Sequence, residues 1–259
     1  MKIACVQMDM AFAAPEVNFP KARELVRRAA ETGADIMVLP ETWNVGFFPK
    51  DDLLSLADEN AAQVKAEMGT LARGLSVNIV AGSVAARRGD KVYNTALVFD
   101  RQGNCIAEYR KSHLFSPMGE NEYFTAGESR CRFTLDGVNC GLITCYDIRF
   151  PELSRAMALE GMDLLFCVAQ WPQVRMEHLN VLTRARAIEN QMFLACCNSC
   201  GRAEGTRFGG GSAIIDPWGQ VLARAGEGEE ILTAECDMTV LGGIRESINV
   251  FRDRREEMY

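Results

Sequence analysis

The sequence predicts an α/β protein built as a four-layer α-β-β-α sandwich. Three observations point there. Short, continuous apolar runs rich in β-branched residues read as strands buried on both faces. Stretches with apolar residues at helical spacing lie between them. The same order of elements then occurs twice along the chain. Two similar β/α units would each present a sheet needing cover on both faces, and stacking sheet on sheet with helices outside provides it. No linker, low-complexity tract or charge block divides the 259 residues, so one domain over 1–259 is expected, with a charged tail over about 250–259.

Residues 3–8 read as the first strand. A helix over about 17–32 follows, with Ala22, Leu25, Val26, Ala29 and Ala30 on one face, and Gly33 ends it. A buried strand over 35–39 delivers Pro40-Glu41-Thr42-Trp43 into a loop rich in aromatics and proline. A helix over about 60–75 precedes strands over 77–83, 92–99 and 105–110. The last two are joined by Asp100-Arg101-Gln102-Gly103, a hairpin signal with Gly at its left-handed position. The run 138–144 is a further buried strand, stopping at Cys145, and Pro151 suits the first turn of the next helix. Gly33-Ala34-Asp35-Ile36-Met37-Val38-Leu39 is echoed by Gly161-Met162-Asp163-Leu164-Leu165-Phe166-Cys167, and Trp43 by Trp171. Residues 94–100 are echoed by 211–216, and helices over 152–161 and about 174–191 lie between the second-half echoes.

Hydrophobic content of 48% with 24% charge is that of an ordinary globular chain. A net charge of −7 argues against a nucleic-acid backbone or an anionic membrane surface as partner. No apolar stretch approaches the roughly 18 residues that span a bilayer. Met1 leads straight into a strand pattern with no signal-peptide layout, which points to the cytoplasm and to reduced thiols. Of the ten cysteines, Cys5, Cys140, Cys167, Cys196, Cys197 and Cys236 look like core strand positions. Cys196, Cys197 and Cys200 cluster, but no second CxxC or His pair supplies the rest of a zinc site.

Cys145 stands at the carboxyl end of a strand, where open α/β sheets keep their ligand crevices. It reads either as a small buried hydrophobe or as a nucleophile. The chain has only two histidines. His178 lies among Arg175, Glu177 and Asn180 on a helix surface, and His113 reads as a structural hydrogen-bonding residue or as a base. So few histidines direct the search for a base towards carboxylates. Glu41 also follows a buried strand, and a carboxylate between Pro40 and Trp43 is expected to be partly desolvated, the condition under which a glutamate works as a general base. A helix-capping or solvent-facing role is its alternative. Lys111 closes a strand as well. Beside a thiol it would favour thiolate and could donate to an oxyanion, or it is an exposed strand-end lysine.

Leu39-Pro40-Glu41-Thr42, Tyr109-Arg110-Lys111-Ser112-His113-Leu114-Phe115 and Cys145-Tyr146-Asp147-Ile148-Arg149-Phe150-Pro151-Glu152 resemble, in order and spacing, the three signature segments of the nitrilase (carbon–nitrogen hydrolase) superfamily. Gln170-Trp171-Pro172, Arg184-Ala185-Arg186-Ala187-Ile188-Glu189-Asn190 and Ile215-Asp216-Pro217-Trp218-Gly219 are similar to its Nit/ω-amidase branch. The resemblance implies a nitrilase-like sandwich and a Glu41–Lys111–Cys145 triad. It also implies a second active-site glutamate, and a register anchored at Gly127 selects Glu120 over Glu122. Substrate would then be a small amide, such as the ω-amide of a dicarboxylic acid, cleaved through a thioester without metal or organic cofactor. The backbone N–H of Tyr146 would bind the oxyanion. Arg149 is a candidate for the far carboxylate, unless it pairs with Asp147 or Glu152, and Arg175 is a second. Family members commonly form homodimers or higher homo-oligomers through helices near the active site, here the arginine-rich helix ending near Gln191. N-carbamoyl amine and nitrile hydrolysis are the alternatives within the family. Outside it stand an inactive binding or scaffold protein and a Cys–His hydrolase using His113.

Overall fold

The computed structural model describes residues 1–259. The first half contains β1 (Lys2–Gln7), α1 (Pro15–Glu31), β2 (Ile36–Val38), α2 (Leu53–Leu56), β3 (Asp58–Glu59), α3 (Ala62–Leu75), β4 (Asn78–Arg88), β5 (Lys91–Phe99), β6 (Cys105–Arg110) and α4 (Glu120–Tyr123). The second contains β7 (Cys131–Leu135), β8 (Val138–Thr144), α5 (Pro151–Leu159), β9 (Leu164–Ala169), α6 (Met176–Asn190), β10 (Phe193–Asn198), β11 (Arg202–Ala203), β12 (Thr206–Arg207), β13 (Ala213–Ile215), β14 (Val221–Arg224), β15 (Glu230–Glu235) and α7 (Val240–Ser247).

One sheet runs β15-β1-β2-β4-β5-β6 with β3 beside β4, and the other runs β14-β13-β10-β9-β8-β7. The repeat read from the sequence is present in the pairing. β1, β2 and β4 are parallel neighbours, then β5 and β6 add antiparallel. β8, β9 and β10 are parallel neighbours, then β13 and β14 add antiparallel. The echoed segments, β2 with β9 and β5 with β13, occupy matching places.

Side-chain alternation builds the layers. On β1, Ala4 and Val6 pack with Leu25 and Val26 of α1 and Met68 of α3, while Ile3 and Cys5 face the other sheet. On β9, Leu164, Phe166 and Val168 face inward, and Leu165 and Cys167 lie under Met157 of α5 and Leu179 of α6. Three apolar interfaces therefore stack as helix–sheet, sheet–sheet and sheet–helix, the expected four layers. No helix is long and apolar enough to cross a membrane.

Three details depart from the sequence reading. α1 begins earlier, with Pro15 in its first turn. β4 continues past Ser83 to Arg88, through alanines and arginines of low strand propensity held by the β4–β5 hairpin. Cys236 is buried but lies one residue beyond β15, where its N–H bonds the carbonyl of Met1.

Candidate active site

Three strand ends meet at one cleft. Glu41 follows β2, Lys111 follows β6 and Cys145 follows β8. All three line the cleft, together with Glu120, Tyr146, Arg149 and Arg175. Its walls include Phe47, Phe48, Phe115, Met118 and Trp171, an apolar lining around a few convergent polar groups, as small-molecule sites have.

At the base, Lys111 Nζ donates to Glu41 Oε1 at 2.9 Å and to Glu120 Oε1 and Oε2 at 2.9 and 2.8 Å. These residues are only 2% (Lys111) and 4% (Glu41 and Glu120) exposed, so Glu41 is desolvated as expected, and the alternatives of a solvent-facing Glu41 and an exposed strand-end Lys111 do not hold. Glu41 Oε2 accepts the N–H of Gln170 at 2.9 Å, and Glu120 Oε2 accepts that of Phe115 at 2.6 Å. Asn94 Nδ2 donates to Glu41 Oε1 at 2.8 Å and to Glu120 Oε1 at 3.3 Å. Glu122, the alternative to Glu120, is exposed.

Burial opposes the charge on Lys111, but Glu120 and Glu41 outweigh it and raise its pKa well above the ordinary lysine value. Burial, followed by the negative charge of Glu41, pushes the Cys145 thiol well above its ordinary value, while Lys111 pulls the other way and loses. Lys111 does favour thiolate, as expected, but burial and Glu41 outweigh it. Two carboxylates against one ammonium leave the base of the cleft net negative, and a third anion there is disfavoured. Cys145 therefore rests as a thiol beside an acceptor for its proton.

Cys145 itself has φ +47°, a left-handed conformation uncommon for a residue with a side chain, at the start of a 3-10 turn over Cys145–Arg149. The turn is fixed by Asp147. Its buried carboxylate accepts the N–H of Thr144 at 2.9 Å, the hydroxyl of Tyr109 at 2.7 Å and the N–H of His113 at 3.0 Å. His113 Nδ1 also lies 2.8 Å from Asp147 Oδ1, and its ring stacks on Phe150 at 3.8 Å. His113 does not line the cleft. It ties the Lys111 segment to the Cys145 turn, so the Cys–His arrangement is not the one formed.

Asp147 being fully engaged, Arg149 makes no ion pair with it or with Glu152. Its guanidinium lies 4.7 Å over the ring of Trp171, with Nη2 3.1 Å from His178 Nδ1. Arg175 lies 5.2 Å over Phe115. Neither arginine has a carboxylate partner, and both face the cleft.

Sequence reasoning overlooked Asn94 and the backbone of Gln170. Asn94 did carry a signal, a polar residue inside an otherwise largely apolar strand.

Residues 2–246 match the family model described as Carbon-nitrogen hydrolase. The chain belongs to that family and is an enzyme of that class. It is 44% identical to the 2-oxoglutaramate amidase of Bacillus subtilis (strain 168), over 99% of this chain and 98% of that one. It is 30% identical to the human omega-amidase NIT2, over 100% and 96%. Its fold superposes with TM-score 0.89 on a mutant of the amidase from Nesterenkonia sp. AN1 in complex with butyramide, at 28% identity over 100% and 95%.

Proposed function

We propose that residues 1–259 form one amidase domain that hydrolyses the terminal amide of a small dicarboxylate, 2-oxoglutaramate being the favoured case, to the acid and ammonia. The observation that carries this reading is a thiol, a carboxylate and an ammonium buried together below two arginines that lack carboxylate partners. Arg149 and Arg175 would receive the substrate's far carboxylate, Arg in both cases being suited to bidentate contact. The apolar walls would hold the short chain between, and the relatives named above support the substrate class.

In the first half-reaction Glu41 takes the Sγ proton as Cys145 attacks the carbonyl carbon. Lys111 and the backbone N–H of Tyr146 stabilise the oxyanion, a contribution of about 3–4 kcal/mol per donor in comparable sites. The N–H groups of a first helical turn have no intrahelical acceptor, which leaves that of Tyr146 available. Glu41 then returns the proton to nitrogen, the C–N bond breaks, and ammonia leaves behind a Cys145 thioester. Water, deprotonated by Glu41, attacks the thioester carbon, and the thiol and the free acid are regenerated. Glu120 holds the Lys111 ammonium in place.

Two copies of the chain are proposed to pair through α6. Val174, Val181 and Ile188 recur every seventh residue and are exposed, and Trp218 is exposed on the turn that packs against Ile188. Clustered exposed apolar residues of this kind mark interfaces more often than isolated ones do.

Ammonia release from a panel of ω-amides, nitriles and N-carbamoyl amines tests the reaction. Turnover of an ω-dicarboxylate amide is expected, with a loss of at least about 10³-fold in Cys145→Ala and Glu41→Gln. Glu120→Gln is expected to lose activity and Glu122→Gln to keep it. Full turnover by Cys145→Ala would sink the assignment. Carbon dioxide released with the ammonia would identify the N-carbamoyl activity instead.

A further inference from the structure

We propose that His178 is a positioning residue for substrate specificity, its neutral imidazole holding the Arg149 guanidinium in place to receive the substrate's far carboxylate. The inference rests on the dicarboxylate-amide reading of the cleft and adds to it a residue that does not itself line the cleft.

Arg149 is held on two sides. The face of its guanidinium lies 4.7 Å over the ring of Trp171. Trp171 is a fixed platform, because it is buried, its main-chain N–H donates to Asn198 Oδ1 at 2.7 Å and its indole N–H donates to the carbonyl of Arg175 at 2.8 Å. Stacking of this kind sets the plane of the guanidinium but not its direction within the plane, since the ring offers the N–H groups no acceptor at their edge. The contact that fixes the edge comes from α6, where His178 Nδ1 lies 3.1 Å from Arg149 Nη2. A guanidinium only donates hydrogen bonds, so Nδ1 is the acceptor and the imidazole in this contact is neutral, with its hydrogen on Nε2.

The chemistry of the holder matters. A carboxylate in the same place would form an ion pair with Arg149, and the substrate's own carboxylate would have to compete with it. A neutral acceptor orients the guanidinium and leaves its whole charge for the substrate. The bond to His178 is the only one the Arg149 side chain makes within the protein, so its other N–H groups stay open to a bidentate anion. Arg175 is held less completely, its guanidinium lying 5.2 Å over Phe115 with no acceptor at its edge. Of the two arginines facing the cleft, Arg149 is therefore the preorganised one, and a group already held in its bound geometry loses less freedom when the ligand arrives.

The test measures kcat and KM for the ω-monoamide of a dicarboxylic acid and for the uncharged primary amide of the same chain length. His178 is exposed, so its replacement is not expected to disturb folding. His178→Ala is expected to raise KM for the charged substrate about fivefold or more, with kcat within about twofold of wild type and KM for the uncharged amide unmoved. His178→Asn, whose side-chain oxygen can stand where Nδ1 stands, is expected to recover most of that loss. Arg149→Ala and the double variant Arg149→Ala/His178→Ala are expected to share one KM for the charged substrate, because His178 acts only through Arg149. An unchanged KM in His178→Ala, an equal rise for both substrates, no recovery in His178→Asn, or additive effects in the double variant would each overturn the proposal. A wild-type chain with no preference for the charged over the uncharged amide would instead remove the dicarboxylate reading, and this inference with it.

Discussion

Burial and the charge of Glu41 both favour the Cys145 thiol over the thiolate, so the nucleophile proposed above draws on proton transfer to that glutamate rather than on a standing thiolate. Burial is the largest cause at other thiols as well. Burial pushes Cys131, Cys140, Cys200 and Cys236 up to about 12 from an ordinary 9.0. The sign of the consequence follows from proton counting. Below pH 9 folded and unfolded chains both keep these protons. Between about 9 and 12 the unfolded chain releases them while the folded chain retains them, so stability falls as pH rises. The melting temperature is expected to drop by about 10 °C between pH 8 and pH 10, and a flat profile over that range would contradict it. At this scale the residue types were legible in the sequence: a strand-end thiol, few histidines, and so a carboxylate base. Arg149 was not resolvable, because its freedom depends on Asp147 being occupied by Thr144, Tyr109 and His113.

The element that most directly places Glu41 is a bulge in β4. Pairing of β4 with β5 shifts register between Val80 and Ser83, and Gly82 lies in the shift with φ +56°. The end of β2 passes over it closely: the N–H of Leu39 bonds the carbonyl of Val80, and that of Ser83 bonds the carbonyl of Pro40. A Cβ at Gly82 would collide with the carbonyl oxygens of Pro40 and Leu39, both backbone atoms with little room to give. Gly82→Ala is therefore expected to displace the Glu41 segment and to cost at least about tenfold in kcat, since small misplacements of reacting groups are expensive. Unchanged kcat would show that β2 can move without consequence. The sequence reading ended this strand at Ser83, and the bulge is why. Ala85, Ala86, Arg87 and Arg88 have little strand propensity of their own and are held extended by their partners on β5.

For the whole molecule, the pairing proposed through α6 has a simple check. Light scattering with size-exclusion chromatography should give about twice the 28.7 kDa of one chain, and Val181→Glu with Ile188→Glu should return it to a single chain. A wild-type chain that runs as a monomer at all concentrations would refute it. The two residues are 54% and 47% exposed, while Leu179, Thr183 and Ala187 of the same helix are buried against the sheet, so α6 has an apolar residue set on each side. Periodicity, turn residues and the repeat are local properties, and they were enough for the layered α/β fold and for three reactive groups at strand ends. Which groups meet is a long-range property. Glu41 reaches Lys111 across 70 residues and Gln170 across 129, and β15 pairs with β1 from the far end of the chain. The first and last of these form as one sheet assembles and the second only when the two sheets close on one another, and that assembly left Arg149 free to face the cleft.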